Sequence, residues 1–561
     1  MQRFALALGI LISTCGLASA QDEVDPRDML HAAYELHEGG APLRRALFAK
    51  AWPTTKPYKR MTDELAATPA RELTRAYLGG GLGPSLAASQ WALDRKELRN
   101  KEGDTHDDTR ALLGAELLLL RFMAGNRSDS EGMVPTLFPL SRVPRAYQRS
   151  RSERRFGTHA WRKATGEATL EGLGLAMLLE TRYGIEQLRL TREVQQAGKT
   201  LTLRGHDERD GFFGLLSLQA AGAKALELQR RLVFDSKKGD ILRKESLLKL
   251  DPRRFMFPTT WSVANKGEIL AYSKGNGESQ LRAQSYVLLA ASTLVLELTT
   301  KDDVVAKALK PFSVRGQKIY LVDPEARAAA LEVAVFAFRS ILALHVSLAS
   351  GASASSDASR AQRGMTVTPQ DFGVFFQALE AFSRIPTGVS GVDKDALEAL
   401  AGEQSKAEKL GGALIKNLVG WARSERQGVY DKYDIGTNSR ANRNRSLISQ
   451  AYAIQGLVAG HKMTGSSEAL QAAREMAGKL DEYFWDAKIR AFKPSGRKGT
   501  RVREAAALLG ALRQVGLATG DGRYIFRYRQ YLTHLHDAGW YQAGTSSTPP
   551  GFEAEVVLSQ K

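Results

Sequence analysis

The sequence predicts an all-α fold of repeated helical hairpins, with small β-hairpins inserted between some of them. Three patterns in its 561 residues carry that expectation. Apolar segments rich in small residues recur along the chain, punctuated by Gly, Pro, Asp and Asn. More amphipathic stretches alternate with them. Some of the apolar segments also open alike.

Eight apolar segments stand out: Thr109–Met123, Thr169–Leu179, Gly211–Leu218, Leu281–Leu298, Ala328–Ser347, Asp371–Phe382, Ser446–Gly460 and Arg503–Leu517. Each is apolar around most of a helical circumference, as expected of helices buried on more than one side. Leu397–Trp421 and Ala469–Tyr483 have one wet face and suit an outer layer. Arg282-Ala283-Gln284-Ser285-Tyr286 and Ile448-Ser449-Gln450-Ala451-Tyr452 both open a helix with Gln-small-Tyr, and Arg503 to Tyr524 closes similarly at the turn Ala518-Thr519-Gly520-Asp521. An apolar helix, a polar turn and an amphipathic helix, recurring every few tens of residues, make a helical-hairpin repeat.

Three stretches read as β structure. Leu188-Arg189-Leu190 and Thr200-Leu201-Thr202-Leu203, around Ala197-Gly198-Lys199, predict a hairpin within Glu186–Arg204. Leu232-Val233-Phe234 with Lys237-Lys238-Gly239-Asp240 predicts a second, and Lys318–Val322 a lone strand. Ser350–Arg363, rich in Ser, Ala and Gly, predicts a loop between two hairpins.

Ser446–Trp485 (SLISQAYAIQGLVAGHKMTGSSEALQAAREMAGKLDEYFW) resembles one hairpin of the α/α toroids, with a Thr-Gly turn, an Ala-rich second helix and a closing aromatic plus Asp at Trp485-Asp486. These toroids include the six-hairpin glycosidases, the sugar epimerases built on the same ring and the toroidal polysaccharide lyases. Arg503–Thr533 looks like the next hairpin. The resemblance is clear over the last fifth of the chain and implies an α/α toroid spanning 21–545, followed by a tail at 546–561. It also implies a site in a funnel lined by the loops that lead into inner helices. Such a fold hosts many activities.

The first twenty residues predict an export signal: one charge at Arg3, an apolar run from Phe4 to Ile12, and the small-x-small exit Ala18-Ser19-Ala20. Cleavage there removes Cys15, the single cysteine, so the mature chain holds no disulfide and no thiolate metal site. Ile12-Ser13-Thr14-Cys15-Gly16 also resembles a lipoprotein cleavage box, which would tether the protein to a membrane through Cys15. The protein is then expected to be periplasmic or secreted. Its net charge of +18 falls only by that of Arg3, to +17, on cleavage. An exported basic protein suits anionic surroundings, such as an acidic polysaccharide or another anionic polymer. Basic residues interleaved with aromatics, as in single-strand nucleic-acid binders, are lacking.

The chain has no phosphate-binding loop, G-x-S-x-G, H-E-x-x-H or EF-hand loop, and Gly79–Pro84 has the wrong spacing for a dinucleotide fingerprint. No cofactor or metal is expected. Three polar clusters precede apolar helices: Asp104–Thr109 with His106, His206-Asp207-Glu208-Arg209-Asp210, and Tyr430–Arg445. The first two offer histidine and carboxylate as an acid and a base, as ligands for a cation, or as helix caps. In the third, Arg440, Arg443 and Arg445 present forks that suit carboxylate or sulfate. Tyr430 beside them fits the base of a uronide lyase, whereas Asp431 and Asp434 fit a hydrolytic pair; a solvated basic loop with Asx turns has the same composition. Trp161 and Trp261 could stack on sugar rings or fill the core. Gln284 and Gln450 could face the ring interior or bond to neighbouring elements. The sequence thus favours a glycan lyase or hydrolase, with a non-catalytic envelope protein that binds an anionic polymer or a partner protein as the alternative.

Overall fold

The computed structural model describes residues 167–537, with short interruptions. The signal segment, Thr109–Met123, His106, Trp161, His206, Asp207, most of Ser350–Arg363 and the tail lie outside the described residues.

Ten helices are described: α1 (Leu170–Gln196), α2 (Arg209–Arg231), α3 (Leu281–Leu298), α4 (Ala326–His345), α5 (Pro369–Ser383), α6 (Lys394–Ser424), α7 (Leu447–Thr464), α8 (Ser467–Phe484), α9 (Val502–Thr519) and α10 (Gly522–Asp537). The odd-numbered helices form one layer, in which α1 packs on α3, α3 on α5, α5 on α7 and α7 on α9. The even-numbered helices back them: α2 on α1, α4 on α3, α8 on α7 and α10 on α9, with α6 against both α5 and α7. The described residues therefore form a row of five helical hairpins. Seven of the eight apolar segments coincide with helices of these layers, and both amphipathic stretches coincide with outer helices.

Local chemistry sets the helix ends. Thr368 caps α5 by accepting from Asp371 N–H at 3.1 Å, while the Asp371 carboxylate accepts from Thr368 N–H, with Pro369 at the first helical position. Ser446 caps α7 and Ser466 caps α8. Between them Gly465 takes φ 71°, a left-handed stop open to glycine at no steric cost, and its N–H closes on His461 O at 2.8 Å. Gly520 repeats that device between α9 and α10 with φ 68°.

Close approach within the inner layer depends on glycines, two of them at matching positions. A Cβ on Gly174 of α1 would lie 2.8 Å from the Tyr286 carbonyl carbon on α3; one on Gly373 of α5 would lie 2.4 Å from Tyr452 O on α7. Both glycines occupy the fifth position of their helix, and both tyrosines the sixth of theirs. The β insertions follow the same repeat. The strand Glu167–Thr169 before α1 pairs with the hairpin Thr260–Lys266/Ile269–Gly275 before α3. The strand Thr366–Val367 before α5 pairs with the hairpin Tyr433–Asp434/Ser439–Arg440 before α7.

Two strand expectations need correcting. Leu188-Arg189-Leu190 lies inside α1, because Ile185 and Leu188, three residues apart, are both buried at helical spacing. Lys318–Val322 is no lone strand: Gln317–Ile319 pairs with Phe312–Val314. The hairpin Val233–Asp235/Asp240–Leu242 forms where its sequence predicts.

Helix α4 is long and apolar enough to cross a membrane, but 72% of its most apolar window is buried against the other helices. Between α1 and α2, Lys224 Nζ donates to both Glu180 oxygens at 2.6 and 2.8 Å, and the two side chains are 0% and 2% exposed. Burial pushes the Glu180 carboxyl up to about 7, against the pull of Lys224, and pushes the lysine down.

Candidate functional site

At the end where the inner helices begin, the strands that lead into α1 and α3 pair with each other, as do those that lead into α5 and α7. The best-defined loop there is the arginine-bearing one before α7. Trp421, near the end of α6, stacks on Tyr433 at 4.0 Å and 8°, and its indole N–H donates to Asn438 Oδ1 at 2.8 Å. Asn438 itself adopts φ 50°, a turn conformation that asparagine tolerates. The hairpin tip is thereby anchored on both sides.

Tyr430 sits beneath that tip, 3% exposed. Its hydroxyl accepts from Arg440 Nη1 at 2.6 Å, and the Arg445 guanidinium lies 3.8 Å above its ring. Arg445 Nε also donates to Gly428 O at 3.3 Å. Arg443 is exposed on the same loop. Two of the three arginines, Arg440 and Arg445, are thus built onto one buried tyrosine.

Asp431 and Asp434 serve separate turns. Asp431 Oδ1 accepts from the backbone N–H and hydroxyl of Ser446, at 2.7 and 2.6 Å, which ties the loop to the start of α7. Asp434 Oδ1 accepts from Thr437 N–H and Oγ1–H at 2.9 and 3.1 Å, and these bonds hold its carboxyl below the usual range.

Gln450 and Gln284 occupy equivalent positions, the fourth of α7 and of α3. Gln450 grips Val429 at both ends, accepting from its N–H at 2.9 Å and donating to its carbonyl at 2.7 Å. Gly428 beside it takes φ 91°, and a Cβ there would lie 2.1 Å from Gln450 Oε1. Gln284 donates to Phe257 O at 2.7 Å and to Ser279 Oγ at 3.2 Å, and Ser279 Oγ also meets His345 Nε2 at 2.8 Å. Both glutamines therefore pin the incoming loop to the helix. Trp261 is 1% exposed and packed in the core beside strand Glu167–Thr169.

Sequence reasoning missed a second group at this end. Glu171, Arg282 and Gln370 are each the second residue of their inner helix: α1, α3 and α5. Arg282 Nε lies 3.3 Å from Glu171 Oε1, and its Nη1 donates to Gln370 Oε1 at 3.1 Å. One turn deeper on α3, Tyr286 reaches past α5 to meet the Tyr452 hydroxyl of α7 at 3.2 Å. Helices α3 and α7 flank α5, so this contact shows that the inner layer curves and that both tyrosines lie on its concave side. Deeper still, Gln377 of α5 donates to Gln455 of α7 at 3.0 Å, and Gln455 to Ala507 O of α9 at 2.8 Å. The signal was the shared register of the helix starts, in which Arg282 opens the Gln-small-Tyr repeat.

A concave inner layer of parallel helices, each backed by an antiparallel partner, settles the architecture. The fold is an α/α toroid. The toroid matches no protein-family model and no curated protein sequence. Among solved structures it is similar to a D-mannose isomerase, at 11% identity over 66% of this chain and 76% of that one, with a TM-score of 0.38. It is also similar to the cellobiose 2-epimerase of Bacillus thermoamylovorans B4167, at 11% identity over 76% and 85%, TM-score 0.40. A third is the cellobiose 2-epimerase of Spirochaeta thermophila DSM 6192, at 13% identity over 83% and 99%, TM-score 0.31. Among the described residues of the toroid, no group of His, Cys, Asp and Glu is arranged to hold a metal ion.

Proposed function

We propose that this toroid is an exported protein that acts on a glycan, preferably an anionic polysaccharide, as a lyase or glycoside hydrolase. The observation that carries the reading is the rigid loop bearing Arg440, Arg443 and Arg445 at the end where the inner helices begin. Guanidinium forks match carboxylate and sulfate groups, and the net charge of +18 draws such polymers toward the surface. The groups proposed for the chemistry are Tyr430, Asp431 and Asp434 on this loop, with His106, His206 and Asp207 from outside the described residues.

The test is a panel of neutral, carboxylated and sulfated polysaccharides, assayed for new reducing ends and for the absorbance of unsaturated uronides. Reducing ends with that absorbance mark a lyase; reducing ends without it mark a hydrolase. Retained binding with no product from any polymer supports the alternative, an envelope protein that holds an anionic polymer. Export is tested separately by the N-terminus of the mature protein. A start at Gln21 marks a released protein, and a lipidated Cys15 a membrane-tethered one.

A further inference from the structure

We propose that two adjoining turns, Asp235–Gly239 and Asp251–Phe255, form a docking surface on which Lys237, Lys238 and Arg253 hold an acidic polysaccharide. The inference rests on the glycan reading above and adds to it a second contact with the same polymer, apart from the arginine loop before α7.

The backbone fixes where these charges stand. Strand Val233–Asp235 pairs with Phe255–Met256, and one step further the Ser236 N–H donates to Arg254 O at 2.9 Å, so Lys237 and Arg253 come next on the two turns. The first turn closes where the Gly239 N–H donates to Asp235 O at 2.9 Å, with Gly239 at φ 69°. Asp235 Oδ1 fills it, accepting from the Lys237 and Lys238 N–H groups at 2.9 and 3.3 Å. The second turn closes on Asp251 O, which accepts from the Arg254 and Phe255 N–H groups at 3.0 and 2.8 Å. Arg254 ties the two turns together: its Nε and Nη2 donate to Asp235 Oδ1 and Oδ2 at 3.1 and 2.7 Å.

The side chains of Lys237, Lys238 and Arg253 are left over from this bracing. All three residues are exposed, and none of the three side chains bonds to another described residue. The two turns hold two carboxylates. Asp235 is 2% exposed and paired with Arg254, while the exposed Asp251 accepts from the Arg253 N–H at 3.0 Å. Three free cations against one exposed carboxylate leave the surface positive. The exposed residues of the turns include no large apolar side chain, which a surface that enters a lipid bilayer requires.

The place suits a polymer that is also held elsewhere. Strand Val233–Asp235 follows directly on α2, and Phe234 and Met256 pack on Leu344, the next-to-last residue of α4. The outer helices end where the inner helices begin, so the turns lie at the same end of the toroid as Arg440, Arg443 and Arg445. A chain with repeated acidic groups can engage both surfaces, and each contact then raises the effective concentration at the other.

The experiment compares binding of the full chain to polygalacturonate (carboxylate), to carrageenan (sulfate), to short oligomers of each and to phosphatidylglycerol vesicles, all at low salt. Lys237→Gln/Lys238→Gln/Arg253→Gln is expected to weaken the long polymer that wild type binds roughly 10-fold and to leave its short oligomer unchanged. The three side chains are exposed and the turn bonds are made by backbone, so the fold should persist. If it does not, the three single variants serve, each with an expected loss of about 2-fold. Lys406→Gln/Lys409→Gln/Lys416→Gln removes the same charge from the exposed face of α6 and should bind as wild type does. Equal losses in the two triple variants, equal losses for long and short chains, or unchanged polymer binding each overturn the inference and leave the glycan reading standing. A loss confined to the vesicles overturns it in favour of a lipid surface. Failure of wild type to bind any polysaccharide overturns the glycan reading and this inference with it.

Discussion

The Tyr286 and Tyr452 hydroxyls meet at 3.2 Å and join α3 to α7 across the face of α5. They come from equivalent positions of two repeats, so a sequence duplication has become a contact. Each of Tyr286→Phe and Tyr452→Phe is expected to cost about 1 kcal/mol. The double variant should cost little more than either single one, because either change already removes the bond. Urea denaturation of the four proteins measures the coupling; additive losses would show that the hydroxyls act independently.

Gly174 and Gly373 invert the usual helix rule. Glycine to alanine inside a helix ordinarily gains about 1 kcal/mol. At these positions the added methyl would press on the backbone of the facing helix, at 2.8 Å for Gly174 and 2.4 Å for Gly373. Gly174→Ala and Gly373→Ala are each expected to destabilise by about 1–3 kcal/mol, with Gly373→Ala the worse. Gly478, whose Cβ would meet nothing within 4 Å, supplies the control. Gly478→Ala on α8 should follow the ordinary rule, and thermal melts of the three variants decide the sign.

Gln450 holds Val429 through two bonds, whereas Gln284 holds Phe257 through one. Gln450→Leu leaves both a buried N–H and a buried carbonyl of Val429 without that partner, and is expected to cost about 2–4 kcal/mol. Gln284→Leu should cost less. Hydrogen exchange offers the local readout: the Val429 amide should lose protection in Gln450→Leu, with little change elsewhere.

The buried Lys224–Glu180 pair gives a pH signature once broken. In Lys224→Met, Glu180 loses the attraction that lowers its carboxyl, which burial already raises from 4.5 to about 7. A folded value above the unfolded one means that the native state keeps the extra proton between the two. Stability of this variant should be greatest below pH 4.5 and fall by about 1.4 kcal/mol per pH unit as pH rises toward 7 and beyond. At neutral pH and above it should be about 3–5 kcal/mol less stable than wild type, and Glu180→Leu/Lys224→Met should recover most of the loss. Chemical denaturation at pH 5 and pH 8 checks both statements.

The sequence by itself determined the hairpins, because the forces that shape them are local. Apolar period, a Ser or Thr before each of α5, α7 and α8, and Gly465 or Gly520 at a turn act within a few residues of chain, so Leu281–Leu298 could be read to its ends. The Gln-small-Tyr repeat was visible for the same reason. The dense polar loop before α7 also stood out, since its composition alone marks it.

The tertiary structure decided which groups meet. Leu188-Arg189-Leu190 alternates like a strand, and only packing of Ile185 and Leu188 together made it helix. Asp431 and Asp434, three residues apart in the chain, serve separate turns, one bonded to Ser446 and the other to Thr437. Glu171, Arg282 and Gln370 are far apart in sequence; shared register in three parallel helices brought them together. Side-chain direction along a helix is local, but the neighbour it finds depends on how the helices are stacked, and that is set by burial over the whole layer.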